Sequence, residues 1–209
     1  MKYQGKLFPF LFCSLLQSSF FFLLHKKTYA CVLPLEIKRA HRCNLSRDCP
    51  PGHFAVSVRS GAGDIVGPHI CFNGKIVMNS VLNNVRQGLN IVVVDGEKTP
   101  PRTFHWLLDD ILAYLKEIKP GRIVLVASFN DVATLLTDEI KETFVGMGSS
   151  FITSLKLKDN WVFVGRAATK TKSAFEKQAV NDEKTNAYET WPNMVEVAGC
   201  FPRTPNATQ

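Results

Sequence analysis

Leu89-Asn90-Ile91-Val92-Val93-Val94 is an apolar, β-branched run that reads as a strand buried on both faces. Ile123 to Ala127 and Trp161 to Gly165 repeat that character. Between the first two runs, Phe104, Leu107, Leu108, Ile111, Leu112, Leu115 and Ile118 recur at helical spacing. Pro100-Pro101 and Thr103 open this predicted helix, and Pro120-Gly121 ends it. Between the second and third runs the sequence predicts a shorter helix. Thr137 is its N-cap, Asp138 and Glu139 fall in its first turn, and Gly148 lies near its end. Strand, helix, strand, helix, strand over 89–165 invites a parallel βαβ arrangement.

The flanks read differently. Phe54, Val56 and Val58 alternate with small or polar residues until Ser60-Gly61-Ala62-Gly63 breaks the strand. Asn73-Gly74 separates Ile70-Cys71-Phe72 from Ile76-Val77-Met78, a strong hairpin signal. Val195 and Val197 begin a last strand that runs into Cys200. Antiparallel pieces around a βαβ-like centre give a mixed α+β class, whose sheet order periodicity does not settle.

The N-terminus sets the compartment. Lys2 and Lys6 precede the apolar stretch from Leu7 to Leu24, residues 1–30 hold no acidic side chain, and Thr28-Tyr29-Ala30 offers a small-x-small cleavage site. This is the pattern of a signal peptide over 1–30. The stretch is also near the length of an uncleaved anchor, but His25-Lys26-Lys27 on the translocated side opposes that orientation. Either outcome delivers the rest of the chain to the secretory lumen, and cleavage leaves no stable membrane anchor. An extended arm over 31–52, a single globular domain over 53–202 and a tail over 203–209 complete the expected organisation. In an oxidising compartment Cys43, Cys49, Cys71 and Cys200 are disulfide candidates, with three pairings open. Asn44-Leu45-Ser46 and Asn206-Ala207-Thr208 are glycosylation sequons, so Asn44 and Asn206 are expected to be exposed.

The chain has 209 residues and a formal charge of +7. Removing Lys2, Lys6, Lys26 and Lys27 leaves 21 basic against 18 acidic residues, or +3, in 179 residues. That length can bury its own core. Basic residues are dispersed among acidic ones, which speaks against a nucleic-acid surface. The exception is Arg166, Lys170, Lys172 and Lys177, read as a solvated loop, with a sulfated glycan or acidic receptor face as the alternative.

Catalytic and cofactor signatures are missing from the sequence: no P-loop, GxGxxG, GxSxG, HExxH or CxxC occurs. A Cys-His enzyme is not expected, because a thiol nucleophile must stay reduced in an oxidising compartment. Asp109 and Asp110 are neighbours, about 100° apart on a helix, and do not form a paired-carboxylate site by themselves. No cofactor, metal or enzymatic activity is expected. One constellation could bind a ligand. Asp95 follows the first buried strand, while Ser128, Asn130 and Asp131 follow the second. If those strands are parallel neighbours, the four groups converge at one sheet edge, where sugar hydroxyls or a hard cation could bind. Otherwise each caps a strand end or the next helix, as Asp, Asn and Ser often do. Trp106, Trp161 and Trp191 lie beside apolar residues and default to core packing, and Trp191-Pro192 is the best candidate for an exposed stacking aromatic.

Further motifs stand in order along the chain. They are Cys43-x5-Cys49-Pro50, His53-Phe54-Ala55, Val66-Gly67-Pro68-x-Ile70-Cys71, Asn84-Val85-x-x-Gly88-Leu89-Asn90 and Asp159-Asn160-Trp161-Val162-Phe163. Lys172-Ser173-x-Phe175-Glu176 and Trp191-Pro192-x7-Cys200-x-Pro202 complete the series. From Cys43 to Pro202 the sequence closely resembles the family with sequence similarity three, a group of secreted cytokine-like proteins. The resemblance implies a compact β-β-α sandwich, two packed sheets flanked by helices, stapled by Cys43–Cys71 and Cys49–Cys200. It also implies extracellular signalling without established catalysis. A related domain in a protein O-mannose glycosyltransferase binds carbohydrate. Two departures stand out: Val164 replaces an unpaired, dimer-forming cysteine of one branch, and Asn130-Asp131 replaces a pair of aspartates. A monomer or weak dimer is expected, with Cys31 as a possible unpaired thiol. The two functional classes are a ligand of a cell-surface receptor and a carbohydrate-binding module using Asp95, Asn130, Asp131 or Trp191.

Overall fold

A computed structural model describes residues 42–95, 102–105 (backbone only), 111–169 and 171–204. The signal peptide, the arm before Arg42, Cys31, Trp106, Asp109, Asp110, Lys170 and Asn206 lie outside the described residues.

The first sheet has the order β3-β2-β1-β9. Its strands are β1 (His53–Arg59), β2 (His69–Phe72), β3 (Lys75–Met78) and β9 (Glu196–Pro202). Asn73 and Gly74 both have positive φ, 47° and 83°, as the two-residue hairpin turn between β2 and β3 requires. The second sheet has the order β5-β4-β6-β7-β8. It is built from β4 (Gly88–Val94), β5 (Arg102–His105), β6 (Ile123–Phe129), β7 (Asn160–Arg166) and β8 (Phe175–Ala179). Helices α1 (Ile111–Glu117) and α2 (Asp138–Val145) cover its far face. This is the β-β-α layering that the resemblance implies.

The parallel βαβ expectation does not hold. β4 and β6 are antiparallel, with Gly88 opposite Phe129 and Val94 opposite Ile123. β6 and β7 are antiparallel as well. In each case the chain crosses the sheet once more than expected. β5 runs back along β4, placing His105 beside Asn90, before α1 returns the chain to the start of β6. After α2, the segment through the 3-10 turn Ile152–Ser154 makes the extra crossing. The predicted helix over 103–118 therefore begins as a strand. Thr103 and Phe104 suit a ladder, and pairing them satisfies the free edge of β4. β8 has no counterpart in the sequence reading, because Phe175-Glu176-Lys177-Gln178-Ala179 lacks clean alternation.

Continuous apolar runs in the second sheet feed two cores. Val92, Val94, Leu125, Ala127, Val162 and Val164 face the first sheet, meeting Phe54, Val56, Val58 and Ile70. Leu89, Ile91, Val93, Val124, Val126, Trp161 and Phe163 face Ile111, Leu115, Ile140 and Phe144 of the helices. Trp161 stacks on Phe163 at 5.7 Å and meets Phe144 edge-on at 5.5 Å. Thr137 caps α2, its hydroxyl accepting from the Ile140 amide.

Disulfides join Cys43 to Cys71 and Cys49 to Cys200, each with Cα atoms 5.4 Å apart. The first covers the outer face of β1, where Cys43, Cys71 and Ala55 pack together.

Candidate functional site

Strand ends divide the domain into two poles. At one lie the hairpin tip Asn73-Gly74, both disulfides, Ile123 and Arg166. This is the staple pole. The other pole gathers the loops 60–68, 79–87, 130–137, 155–159 and 180–195.

Hydrogen bonds lock the loop pole. The Gly61 amide donates to Ser128 O at 2.8 Å, Asn130 N to Gly63 O at 3.0 Å and Ser60 N to Val195 O at 2.9 Å. A Cβ on Gly61 would lie 2.5 Å from Phe129 Cδ2 and 2.7 Å from Val66 O, so only glycine fits there. Asp159 is fully buried, and its carboxylate accepts from Lys156 N, Gln178 Nε2 and Asn181 N. Asn160 Nδ2 donates to Pro192 O and Asn193 O.

On this frame stand exposed apolar side chains. Val81 is 90% exposed and Ile65 88%, and Val66, Leu82, Leu157, Val180 and Tyr188 are exposed with them. The sequence reading passed them over by treating their loops as punctuation. Gly63-Asp64-Ile65-Val66-Gly67 and Asn79-Ser80-Val81-Leu82-Asn83 did carry a signal: aliphatic pairs inside turn-forming segments.

The predicted polar constellation does not assemble. Because β4 and β6 are antiparallel, Asp95 lies at the staple pole and Asn130 and Asp131 at the loop pole. Asp95 is paired with Arg122 at 2.6 Å. Ser128 is buried and its hydroxyl accepts from Trp161 N at 2.9 Å. Asp131 Oδ1 accepts from Ala133 N and Lys158 N, and Asn130 Oδ1 accepts from Asp131 N. These are the local capping roles that such residues favour. Trp191 is half-buried against Gly63, with the Lys158 ammonium 5.5 Å from its ring centre. Asn44 is exposed.

Among the described residues, the ionisable groups His69 and Arg166 are perturbed. Burial, and secondarily Arg59, lower the His69 pKa, while Glu196 opposes the shift. Burial lowers that of Arg166. Arg166 is the last residue of β7, and its burial departs from the solvated loop read for that cluster; Lys172 and Lys177 are exposed. Among the described residues no group of three or more His, Cys, Asp or Glu could hold a metal ion, and no helix is long and apolar enough to cross a membrane.

Known proteins are similar to this chain over most of its length. Protein FAM3C of Danio rerio is 42% identical over 168 residues, 78% of this chain and 74% of the relative. Protein FAM3D of Homo sapiens is 38% identical over 177 residues, 82% of this chain and 79% of the relative. The chain belongs to the FAM3 family. The family model for the interleukin-like EMT inducer matches residues 87–168, from the end of the 79–87 loop through β7. Membership makes the protein cytokine-like. Protein FAM3A of Pongo abelii, 40% identical over 176 residues, 81% of this chain and 76% of the relative, extends the similarity to a third FAM3 type. Most of the exposed loop-pole aliphatics, Ile65, Val66, Val81, Leu82 and Val180, lie outside the span of the family model.

Proposed function

We propose that this FAM3 protein is a secreted, cytokine-like ligand that binds a cell-surface receptor through its loop pole and acts without catalysis. One observation carries the reading: Ile65, Val66, Val81, Leu82, Leu157, Val180 and Tyr188 are exposed together at one end. Scattered apolar residues on a surface need no explanation, but their collection at one pole does. The loops that bear them are already hydrogen-bonded into shape, which reduces the ordering cost of association. The N-terminal signal pattern and two disulfides support secretion.

The test is saturable binding of the mature protein to cells stripped of glycans. Ile65→Asp with Val81→Asp is expected to weaken binding at least tenfold while leaving the circular dichroism spectrum and Tm unchanged. Full binding by that folded variant rejects the loop pole as the face. No saturable binding by the wild type rejects the receptor reading.

The carbohydrate-binding alternative rests on the half-buried Trp191 beside Lys158, without Asp95. Glycan-array binding that disappears in Trp191→Ala would support it over the receptor reading.

A further inference from the structure

Among the described residues, Arg166 carries a buried positive charge with no carboxylate paired to it. The residue is 8% exposed. Its Nη1 donates to Gly121 O at 2.8 Å and its Nη2 to Pro202 O at 2.5 Å, and the guanidinium lies 5.5 Å from the Phe201 ring centre. These partners are dipoles and a ring face, which orient the group without cancelling its charge. Among the described residues no carboxylate pairs with Arg166. An arginine keeps its proton in such surroundings, so the charge persists at a cost in free energy.

A cavity of about 80 Å³ opens beside it, lined by Arg166, Thr169, Thr171, Lys172, Ser173 and Thr204 among others. One water needs on the order of 10–15 Å³ by this measure, so the space suits an ion of several heavy atoms. Its wall is firm. Ser173 N donates to Gly148 O at 2.8 Å, and a Cβ on Gly148 would stand 2.5 Å from Thr171 O. Ser173 Oγ accepts from Phe175 N and donates to Val164 O, which anchors the loop to β7. Lys172, exposed, adds a second cation to the lining.

We propose that this cleft binds a tetrahedral oxyanion, the sulfate ester of a sulfated glycan, with Arg166 as the buried counter-charge. Lys172 and the hydroxyls of Thr169 and Thr171 border it. The site lies at the staple pole, away from the proposed receptor face, and its chemistry does not depend on that reading. Only the choice of a glycan over a free ion rests on secretion.

Calorimetric titration of the mature protein at fixed ionic strength tests it. The probes are a heparin-derived octasaccharide, its desulfated form, sodium sulfate and sodium phosphate. The octasaccharide is expected to bind and the desulfated form to fail. Lys172→Ala with Thr171→Val is expected to weaken binding at least tenfold, shifting amide resonances of residues 169–173 in the wild type only. Arg166→Gln is expected to abolish binding, but it also removes two carbonyl bonds, so the double variant decides. Equal binding by wild type and double variant overturns the site. Binding of free sulfate or phosphate as tight as that of the octasaccharide overturns the glycan assignment. Absence of binding by every probe overturns the proposal entirely.

Discussion

The Trp161 indole N–H donates to Glu176 Oε1 at 2.9 Å, tying the centre of the helix-side core to β8. The same carboxylate accepts from Ser149 Oγ, from Ser150 N at 2.6 Å and from Phe151 N at 3.2 Å. One buried anion thus holds the turn after α2 against the sheet. Glu176→Ala leaves these donors without a partner. A charged acceptor in such a place is worth about 3 kcal/mol. That corresponds to a fall in Tm of roughly 6–12 °C for a domain of this size. Calorimetric melting of Glu176→Ala, with Glu176→Asp as a control that keeps the charge, checks the loss.

The two disulfides are expected to contribute unequally. Cys43–Cys71 closes 28 residues and Cys49–Cys200 closes 151. In the chain-entropy account the first is worth about 3.6 kcal/mol and the second about 5 kcal/mol. Denaturant midpoints of the paired serine variants should follow that order. The reverse order would show that Cys43–Cys71 matters chiefly through its packing on Ala55.

His69 sits opposite Arg59, which in turn faces Glu196 across β1. Its pKa is lowered on folding, first by burial and then by Arg59. The unfolded chain therefore takes up this proton more readily than the folded one. Stability from this residue is complete above the unfolded value near 6.5 and declines as pH falls below it, until the folded histidine also titrates. Stability measured from pH 7.5 downward should fall less steeply in His69→Gln than in the wild type.

Gly61→Ala should damage the loop pole from within. The added methyl meets a backbone oxygen at 2.7 Å as well as the Phe129 ring, and backbone yields poorly. An overpacking cost of about 1–3 kcal/mol is expected, read as lower Tm. Faster hydrogen exchange at Ala62 and Val66 should accompany it, because their mutual bonds close this loop.

Much of the fold was legible where one principle ruled locally. The Asn73-Gly74 hairpin, the Thr137 cap and the strands at Leu89, Ile123 and Trp161 follow from turn chemistry, capping and β-branched runs. Strand direction was not legible, since it depended on two extra crossings, one by the segment through Ile152–Ser154 and one by Arg102–His105, whose Phe104 also fits a helical stripe. The polar constellation failed for the same reason, because reversing β6 sent Asp95 and Asn130 to opposite ends. Arg166 misled in another way. Its neighbours Lys172 and Lys177 are exposed, and only position at the end of β7 buries it. Composition does not report that difference.

β1 and β9 are neighbours over seven residue pairs, from His53–Pro202 to Arg59–Glu196. The first sheet is thus finished by the last of the described strands in chain order. Until residues 196–202 arrive, one edge of β1 stays open and Cys49 has no native partner. Such an edge attracts other strands. The growing chain therefore carries an open strand edge and an unpaired Cys49 until residues 196–202 are made. Chains stopped before Glu196 should stay protease-sensitive and form mixed disulfides at Cys49, whereas chains extended past Thr204 should not.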